Sequence, residues 1–236
     1  MSAAADRAER TVVVELRSVG SLVELLSEDQ RLELMRHTTV RNFARNEVVF
    51  HEGDPGDALH IVEKGLFVAR SSSTLGHVLI VNVFRPGSVF GELALLRLDP
   101  VRSATVAALR AGRTRMVRRA DLERLRSGPA GRQVDQFLLT ALADRNLALT
   151  AQLIELLFTS TSKRIQRQLL RLGELGIVDD GDGWIRLSQD ELAMLTATTR
   201  ATVNRVLRDL ERRRIVDLGR GRSRIIDVAQ LTRLSR

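Results

Sequence analysis

Residues 90–106 read FGELALLRLDPVRSATV, in which an arginine–serine pair begins ten positions after the glutamate of a glycine–glutamate pair. Gly91 permits a close backbone approach, Arg102 can bind an anion through two N–H groups, and Ser103 can donate a further hydrogen bond. Glu92 would repel a phosphate, so we expect its carboxylate to accept from a hydroxyl such as a ribose 2′-OH. The stretch therefore predicts a turn that binds a nucleotide monophosphate.

Two other interpretations of these residues remain open. Glu92 and Arg102 could pair with each other, and the turn would then hold no ligand. The two residues could instead serve a nucleotide-metabolising enzyme, although the sequence shows no Ser-His-Asp or paired-carboxylate arrangement. The four histidines lack the spacing of metal ligands, and the chain has no cysteine. We expect a binding protein that is not an enzyme and holds no metal.

Residues 188–215 carry the pattern of two helices joined by a tight turn. Ser188 and Glu191 form an S-x-x-E capping box, and Thr199 can cap the second helix. This spacing predicts a helix-turn-helix whose second helix enters the major groove of DNA. The second helix would bury apolar residues at i, i+3, i+4 and i+7, which are Val203, Val206, Leu207 and Leu210.

The opposite face of this predicted recognition helix is polar and basic. Arg200 and Arg205 can each form two hydrogen bonds to guanine O6 and N7, and Thr202 and Gln189 can bond phosphates. Residues 215–228 then predict two strands, a wing whose arginines would face the DNA backbone. The predicted DNA-binding residues are Gln189, Thr199, Arg200, Thr202, Asn204, Arg205, Arg220 and Arg222, and the third wing arginine is Arg224.

The elements that must position these residues differ along the chain. Between residues 39 and 118, short β-branched or aromatic runs alternate with turn signals, which predicts an antiparallel sandwich or barrel. A helical pattern follows from Gly131 to Phe158, and its heptad spacing predicts a two-stranded coiled coil; packing on its own domain is the alternative. The seam comprises Leu139, Leu142, Asn146, Leu149, Leu153 and Leu156, and the apolar residues beside it, which could pack inward, are Leu138, Leu147, Ile154 and Leu157.

Helical spacing is also present from Leu22 to Met35, with a break near Ser27, and from Ser162 to Gly176, followed by a turn-rich hairpin at 178–187. The fold class is therefore α+β. We predict an N-terminal tail at 1–20, an effector-binding β domain at 21–130, a dimerisation helix at 131–158 and a winged helix-turn-helix domain at 159–236.

The net charge of +8 is concentrated in the last third of the chain, where residues 159–236 contain 16 basic and 10 acidic residues. A basic domain joined to a nearly neutral one favours a polyanion partner, and a charged surface that serves solubility alone is the alternative. No apolar run is long enough to cross a membrane, and the N-terminus lacks the apolar centre of a secretory signal. We therefore expect a cytoplasmic protein.

The motifs together resemble the cyclic AMP receptor protein (CRP/FNR) family of bacterial transcription regulators. The resemblance lies in RPGSVFGELALL, the interval to RSATV, the upstream FHEGDPGDALHIVEKG and the terminal winged helix-turn-helix. It implies an N-terminal antiparallel β-roll that binds a cyclic nucleotide, most readily cyclic AMP, and a homodimer that binds a palindromic operator and RNA polymerase. The alternative is the same architecture with another effector, or with none, that binds DNA constitutively. The implied ligand-binding residues are Gly91, Glu92, Leu93, Ala94, Arg102, Ser103, Arg145 and Thr150.

The sequence departs from the family pattern at two positions. On the long helix, Arg145 falls on a family arginine and Thr150 where the partner subunit's hydroxyl contacts the purine. Leu149, however, stands where the cyclic AMP receptor has a threonine, and leucine cannot bond the adenine amine. In the recognition helix, Ala201 replaces a glutamate that would accept from cytosine N4. We expect a half-site that keeps the family's guanines and is relaxed or altered at the intervening base pair.

Overall fold

The computed structural model describes residues 27–74, 76–174 and 182–236. The chain forms two compact units. The first contains the described residues up to 76 together with residues 81–151, and the second contains residues 77–80 together with the described residues from 152 to 236. The predicted residues Leu22–Leu26, the end of the helix predicted to reach Gly176, and the first part of the hairpin at 178–187 lie outside the described residues.

The N-terminal unit is built on an antiparallel sheet, as the sequence predicts. Its strands lie in the order β1, β6, β3, β4, with β2 paired to β6 and β5 paired to β3. The elements are α1 (Glu28–Arg36), β1 (Thr38–Phe43), β2 (Val48–Phe50), β3 (Ala58–Ser72), β4 (Val78–Phe84), β5 (Val89–Phe90), α2 (Leu93–Leu96), β6 (Thr105–Arg118), α3 (Arg119–Ser127) and α4 (Gly131–Phe158).

Strand β3 is longer than the two short runs that the sequence suggests. Its 15 residues continue through Gly65, where the pairing register with β6 shifts. Gly65 has φ +87°, and a Cβ there would lie 2.4 Å from the Gly112 Cα of β6. Glycine at both positions lets the two backbones approach closely. Strand β3 therefore passes through Gly65 with a shift in register instead of ending there.

Two apolar clusters hold this unit together. One lies within the sheet and contains Phe43, Phe67, Phe84 and Phe90. The other joins the sheet to the helices through residues such as Leu34 of α1, Leu122 of α3 and Phe137 of α4. Burying one such side chain fully contributes about 1.5–3 kcal/mol. The first turns of α4 are therefore anchored to the sheet that carries the candidate ligand turn.

Helix α4 has the predicted bounds, and most of its apolar side chains are exposed in the single chain. Leu138 packs inward as expected, but Leu147, Ile154 and Leu157 do not: 62%, 53% and 67% of their surfaces are exposed. The seam residues Leu139, Leu149 and Leu153 are exposed as well. Inward packing is thus wrong for three of the four residues beside the seam, because α4 buries only its N-terminal turns in its own unit.

The second unit contains the predicted helix-turn-helix and wing. Its elements are the C-terminal turns of α4, then α5 (Thr161–Glu174), α6 (Gln189–Leu195), α7 (Arg200–Arg212), β7 (Val216–Gly219), β8 (Arg222–Ile225) and α8 (Val228–Ser235). Helix α8 was not predicted from the sequence. Its signal was Asp227, whose side chain accepts from the Gln230 N–H and caps the helix. Leu231 of α8 is fully buried, so this short helix belongs to the core.

Candidate functional site

The candidate ligand turn is formed where β5 ends and the single helical turn α2 begins. Gly91, with φ +83°, makes the sharp change of direction between them. A Cβ at this position would lie 2.6 Å from Arg102 Nη1 and 3.2 Å from the Ala58 carbonyl oxygen. Glycine is therefore required both for the backbone conformation and for the space that the Arg102 side chain fills.

Arg102 is buried beside this turn, with 6% of its surface exposed. Its Nη1 donates to the carbonyl oxygens of Ala58, at 2.8 Å, and Gly91, at 2.9 Å. The guanidinium carbon lies 4.1 Å from the centre of the Phe50 ring. Burial lowers the pKa of Arg102, an effect that the nearby carboxylates of Asp57, Asp54 and Glu92 oppose. Arginine keeps its proton in proteins, so Arg102 is a buried cation.

The segment HEGDPGD holds the backbone around Arg102. The Arg102 N–H donates to Asp54 O at 2.8 Å, and the Gly53 N–H donates to Arg102 O at 2.9 Å. A Cβ on Gly56 would lie 2.4 Å from the Ala94 Cβ and 3.0 Å from Arg102 Nε. This segment belongs to the stretches that carry the family resemblance, and in the structure it forms one wall of the candidate site.

Glu92 is also buried, but its partner is not Arg102. It forms an ion pair with Arg145 Nη1 of α4, and Arg145 Nη2 donates to Val89 O at 3.1 Å. Within the described residues, no ion pair joins Glu92 to Arg102. The interpretation in which these two residues simply neutralise each other is therefore contradicted by the geometry. Arg145, an implied ligand-binding residue, contacts the carboxylate of Glu92 instead.

Each of these two side chains keeps one buried polar atom unused. Among the residues that the structure describes, Glu92 Oε2 and Arg102 Nε have no hydrogen-bond partner. Buried polar groups without partners are rare in folded proteins because each costs about 1–3 kcal/mol. The pair offers one acceptor, which suits a hydroxyl, and one charged donor, which suits an anion. A cyclic nucleotide carries both groups, so these two atoms fit it.

The remaining predicted ligand residues are placed differently. Ala94 is buried against the Gly56 backbone, Leu93 is half-buried, and Ser103 is exposed at the edge of the site. Thr150 is exposed on α4, where its hydroxyl donates to Asn146 O at 3.0 Å. The turn thus brings together Gly91, Glu92, Ala94, Arg102 and Arg145 in one chain.

Two residues that the sequence analysis missed support the turn. Arg119 donates from Nη1 to Leu95 O at 2.9 Å and from Nη2 to Ala94 O at 2.7 Å, which satisfies carbonyls of α2. Behind the turn, His60 is stacked on Phe90 with 5.0 Å between ring centres. Burial, and then the charges of Arg102 and Arg41, lower the pKa of His60 to about 3. Arg119 lies outside the quoted motifs, and His60 lies within FHEGDPGDALHIVEKG but has no spacing to other residues that would assign it to the site.

The second candidate site is the helix-turn-helix formed by α6 and α7. Ser188 and Glu191 form the predicted capping box, and Thr199 accepts from the Thr202 N–H at the start of α7. The turn between the helices places Ala197 at φ +48°. Arg164 of α5 donates to Thr196 O, at 3.3 Å, and to Ala197 O, at 3.4 Å, which fixes the turn from behind.

Several predicted DNA-binding side chains are already paired within the domain. Arg200 Nη1 lies 3.4 Å from Asp190 Oδ2, and Gln189 Nε2 donates to Asn204 Oδ1 at 3.2 Å. The Thr199 and Thr202 hydroxyls lie 3.0 Å apart. Arg205 and Arg220 are exposed and make no ion pair with any described residue. Of the predicted arginines, these two have neither an ion pair nor an aromatic contact with a described residue.

The two strands of the wing span less of the chain than the predicted residues 215–228, and two wing arginines contact an aromatic residue. Arg222 and Arg224 of β8 lie over the ring of Trp184, at 4.3 and 5.0 Å from the ring centre. Arg224 also pairs with Asp217 of β7 at 2.5 Å. These contacts fix two wing arginines on one surface of the domain. Trp184 was not predicted to take part, because it follows a turn-rich segment and lies 38 positions before Arg222 in the chain.

Neither a metal cluster nor a membrane helix occurs in the part of the chain that the structure describes. No group of three or more His, Asp or Glu side chains is assembled there for a metal ion. No helix there combines the length and apolar character needed to span a bilayer.

Comparison with known proteins agrees with this two-part arrangement. A family model described as a cyclic nucleotide-binding domain matches residues 40–128, and one described as a Crp-like helix-turn-helix domain matches residues 163–234. The CRP-like cAMP-activated global transcriptional regulator of Mycobacterium tuberculosis is 32% identical over 201 residues, covering 83% of this chain and 87% of that protein. The Cyclic AMP receptor protein of Thermus thermophilus is 29% identical over 196 residues, with coverages of 83% and 87%.

The solved structures include a CRP-family transcriptional regulator from Thermus thermophilus. It superposes with a TM-score of 0.72 at 25% identity, and the match covers 83% of this chain and 96% of that one. Sequence and fold agree over the same region, from the β domain to the wing. The chain belongs to the CRP/FNR family of transcription regulators, with a cyclic nucleotide-binding domain followed by a Crp-like helix-turn-helix domain.

Proposed function

We propose that this regulator binds cyclic AMP, or a related cyclic nucleotide, at the turn between β5 and α2 and that the ligand controls its binding to DNA. The observation that carries the proposal is that Arg102 is buried without a direct ion pair. This buried cation makes no ion pair with any described carboxylate and donates only to neutral carbonyls. A buried cation without a direct ion pair is costly even with the carboxylates of Asp54, Asp57 and Glu92 nearby, and a phosphate anion beside it would lower that cost.

The other residues of the turn supply complementary chemistry. Glu92 would accept from the ribose hydroxyl through its unused Oε2, and Ser103 at the rim would donate a further bond to the phosphate. The name of the 32% identical relative, which describes activation by cAMP, favours cyclic AMP among the cyclic nucleotides. The bound nucleotide would supply one negative charge and one hydroxyl, matched to the two free atoms.

The contact between Glu92 and Arg145 provides a route from the ligand to the long helix. Arg145 belongs to α4 and is held both by Glu92 and by the carbonyl of Val89. A ligand hydroxyl on Glu92 would alter the balance of these bonds and with it the preferred arrangement of α4. This would shift the population towards a DNA-competent state, which the ligand must bind more tightly than the other state.

We propose that the competent state is a homodimer that reads a palindromic operator. The exposed seam on α4 would provide the interface, and each α7 would enter the major groove of one half-site. Half-sites read by such dimers lie about 34 Å apart, one turn of B-DNA. A transcription regulator of this kind would also contact RNA polymerase. The exposed arginines Arg205 and Arg220 support contacts with base edges and phosphates.

The first test removes the proposed anion ligand Arg102. We expect Arg102→Ala to abolish cyclic AMP binding in calorimetry and to cost about 2–3 kcal/mol of stability, because two carbonyls lose their donor. Arg119→Ala is the matched control, since it also removes two hydrogen bonds to carbonyls of this segment. We expect it to lose stability but to keep its ligand affinity within about threefold. Unchanged ligand affinity in Arg102→Ala would refute the assignment of the site.

The second candidate is a regulator of the same architecture with a different effector or with none. Leu149 favours it, because this residue is 43% exposed on α4 and offers no hydrogen-bonding group to a base. Calorimetric titration with cyclic AMP, cyclic GMP and a cyclic dinucleotide separates the candidates. Binding of cyclic AMP or cyclic GMP supports the first candidate; binding of the cyclic dinucleotide only, or of no ligand together with full DNA affinity, supports the second.

A further inference from the structure

The face of the helix-turn-helix that carries the predicted DNA-binding residues also contains a carboxylate, that of Asp190. Asp190 is the second residue of α6, and its Oδ2 lies 3.4 Å from Nη1 of Arg200, the first residue of α7. Beside this pair, Gln189 bonds Asn204. Two successive residues of α6 therefore contact two residues of α7 on the face where the predicted recognition residues lie.

An exposed ion pair of this kind contributes little to stability. The side chains of Asp190 and Arg200 are 59% and 69% exposed, and pairs at such exposure are worth about 0–1 kcal/mol. The position of Asp190 is, moreover, unfavourable for binding a polyanion, because a carboxylate accepts hydrogen bonds only and repels phosphates. A carboxylate in the first turn of α6 gains about 0.3–1 kcal/mol from the helix dipole, an effect that does not depend on Arg200.

The pair has a clear physical effect on Arg200 itself. A free arginine side chain can reach a phosphate or a base edge, and only the second contact reads sequence. A carboxylate beside one edge of the guanidinium favours the rotamers that keep Arg200 close to Asp190 and leaves its other N–H groups available. The same carboxylate disfavours movement of Arg200 into a phosphate position, because Asp190 would then face the DNA backbone without its cation.

We propose that Asp190 is a specificity-determining residue, which positions Arg200 for a guanine and lowers the affinity of the domain for DNA of any other sequence. The inference rests on the proposed role of α7 in reading DNA. It adds Asp190, a residue that the proposed role does not include. Asp190 acts through Arg200 and touches no base. Removal of its charge should therefore strengthen non-specific binding and weaken discrimination at the base pair that Arg200 reads.

The test selects operators from a randomised double-stranded DNA library with the full-length protein, with and without cyclic AMP. We expect the wild-type protein to enrich a palindromic motif with a guanine in each half-site. Its affinity for that motif, and for motifs with the guanine replaced, is then compared with that of Asp190→Asn. We expect discrimination against the replaced base to fall about 5–10-fold in Asp190→Asn, and affinity for unrelated DNA to rise about 2–5-fold at equal salt.

Three further variants distinguish positioning from general charge or folding effects. Asp209→Asn removes the same charge from an exposed ion pair with Arg212 and Arg213, on α7 but nine residues from Arg200. It should leave discrimination unchanged. Asp190→Glu should restore most of the discrimination. In an Arg200→Ala background, Asp190→Asn should cause no further loss of discrimination, although any effect on the melting temperature from the start of α6 would persist.

The outcomes distinguish failure of this inference from failure of the proposed DNA-reading function. A wild-type protein that enriches no motif under either condition overturns the DNA-reading function and the inference with it. Enrichment of the same motif by the wild-type protein and Asp190→Asn, with equal discrimination at every guanine, overturns the inference alone. Equal losses in Asp190→Asn and Asp209→Asn would also overturn it, since the effect would then be one of net charge.

Discussion

At the scale of single residues, His60 shows how the ligand turn is supported from inside the sheet. Its ring is 5% exposed and stacks against Phe90, and Nδ1 lies 3.0 Å from the Thr114 hydroxyl. The cation of Arg102 is close enough to disfavour a second positive charge. His60 is therefore a neutral member of the core, packed behind a site that already contains one buried cation.

This burial predicts a specific dependence of stability on pH. The pKa of His60 is about 3 in the folded protein and about 6.5 in an unfolded chain. Between these values the unfolded chain binds a proton that the folded protein does not, so stability falls as the pH decreases below about 6.5. From pH 7 to pH 5 we expect His60 to account for a loss of about 2 kcal/mol in the free energy of unfolding.

Urea unfolding at both pH values measures this loss. His60→Gln should be less stable at pH 7 and should lose about 2 kcal/mol less than the wild-type protein between pH 7 and pH 5. His51→Gln is the control, because His51 is exposed, and it should keep the acid loss of the wild-type protein. Parallel curves for the wild-type protein and His60→Gln would show that His60 does not determine the acid sensitivity.

At the scale of elements, the sequence predicts those features that depend on neighbouring residues. The capping box at Ser188, the cap at Thr199 and the bounds of α4 are local patterns, and each was confirmed. The contact of Glu92 with Arg145 joins positions 53 apart in the chain, and that of Arg119 with Ala94 joins positions 25 apart. Such contacts depend on how β5, α2, α3 and α4 pack against one another. The spacing of residues along the chain does not encode this packing.

Helix α4 presents two exposed apolar faces, and only one of them follows the heptad seam. Leu149 and Leu153 lie on the seam, whereas Leu147 and Ile154 lie roughly 130° around the helix at 100° per residue. All four are exposed in the single chain. The heptad interpretation assigns the dimer contact to the first face, and the two faces can be tested with matched substitutions.

We expect Leu149→Asp with Leu153→Asp to convert a dimer into a monomer in sedimentation velocity at micromolar concentration. Two carboxylates on each chain would face each other across the seam, where burial of an unpaired charge is strongly unfavourable. Leu147→Asp with Ile154→Asp makes the same chemical change on the other face and should remain a dimer. If this second variant alone dissociates, the interface lies on the other face and the seam assignment is wrong.

At the scale of the whole molecule, ligand binding and DNA binding must be linked in both directions if the ligand controls the regulator. A ligand that raises DNA affinity by some factor has its own affinity raised by operator DNA by the same factor. Couplings of this kind are typically about 5–150-fold. The two factors are measurable independently, by DNA titration with and without cyclic AMP and by calorimetry with and without operator.

We expect both factors to exceed about fivefold and to agree with each other in the wild-type protein. Arg102→Ala should leave DNA affinity unresponsive to cyclic AMP, because the ligand no longer distinguishes the two states. Its ligand-free DNA affinity should equal that of the wild-type protein, since Arg102 and the helix-turn-helix belong to different units. Full wild-type DNA affinity without any ligand, unchanged by saturating cyclic AMP, would instead identify a constitutive DNA binder whose turn has lost its control of α4.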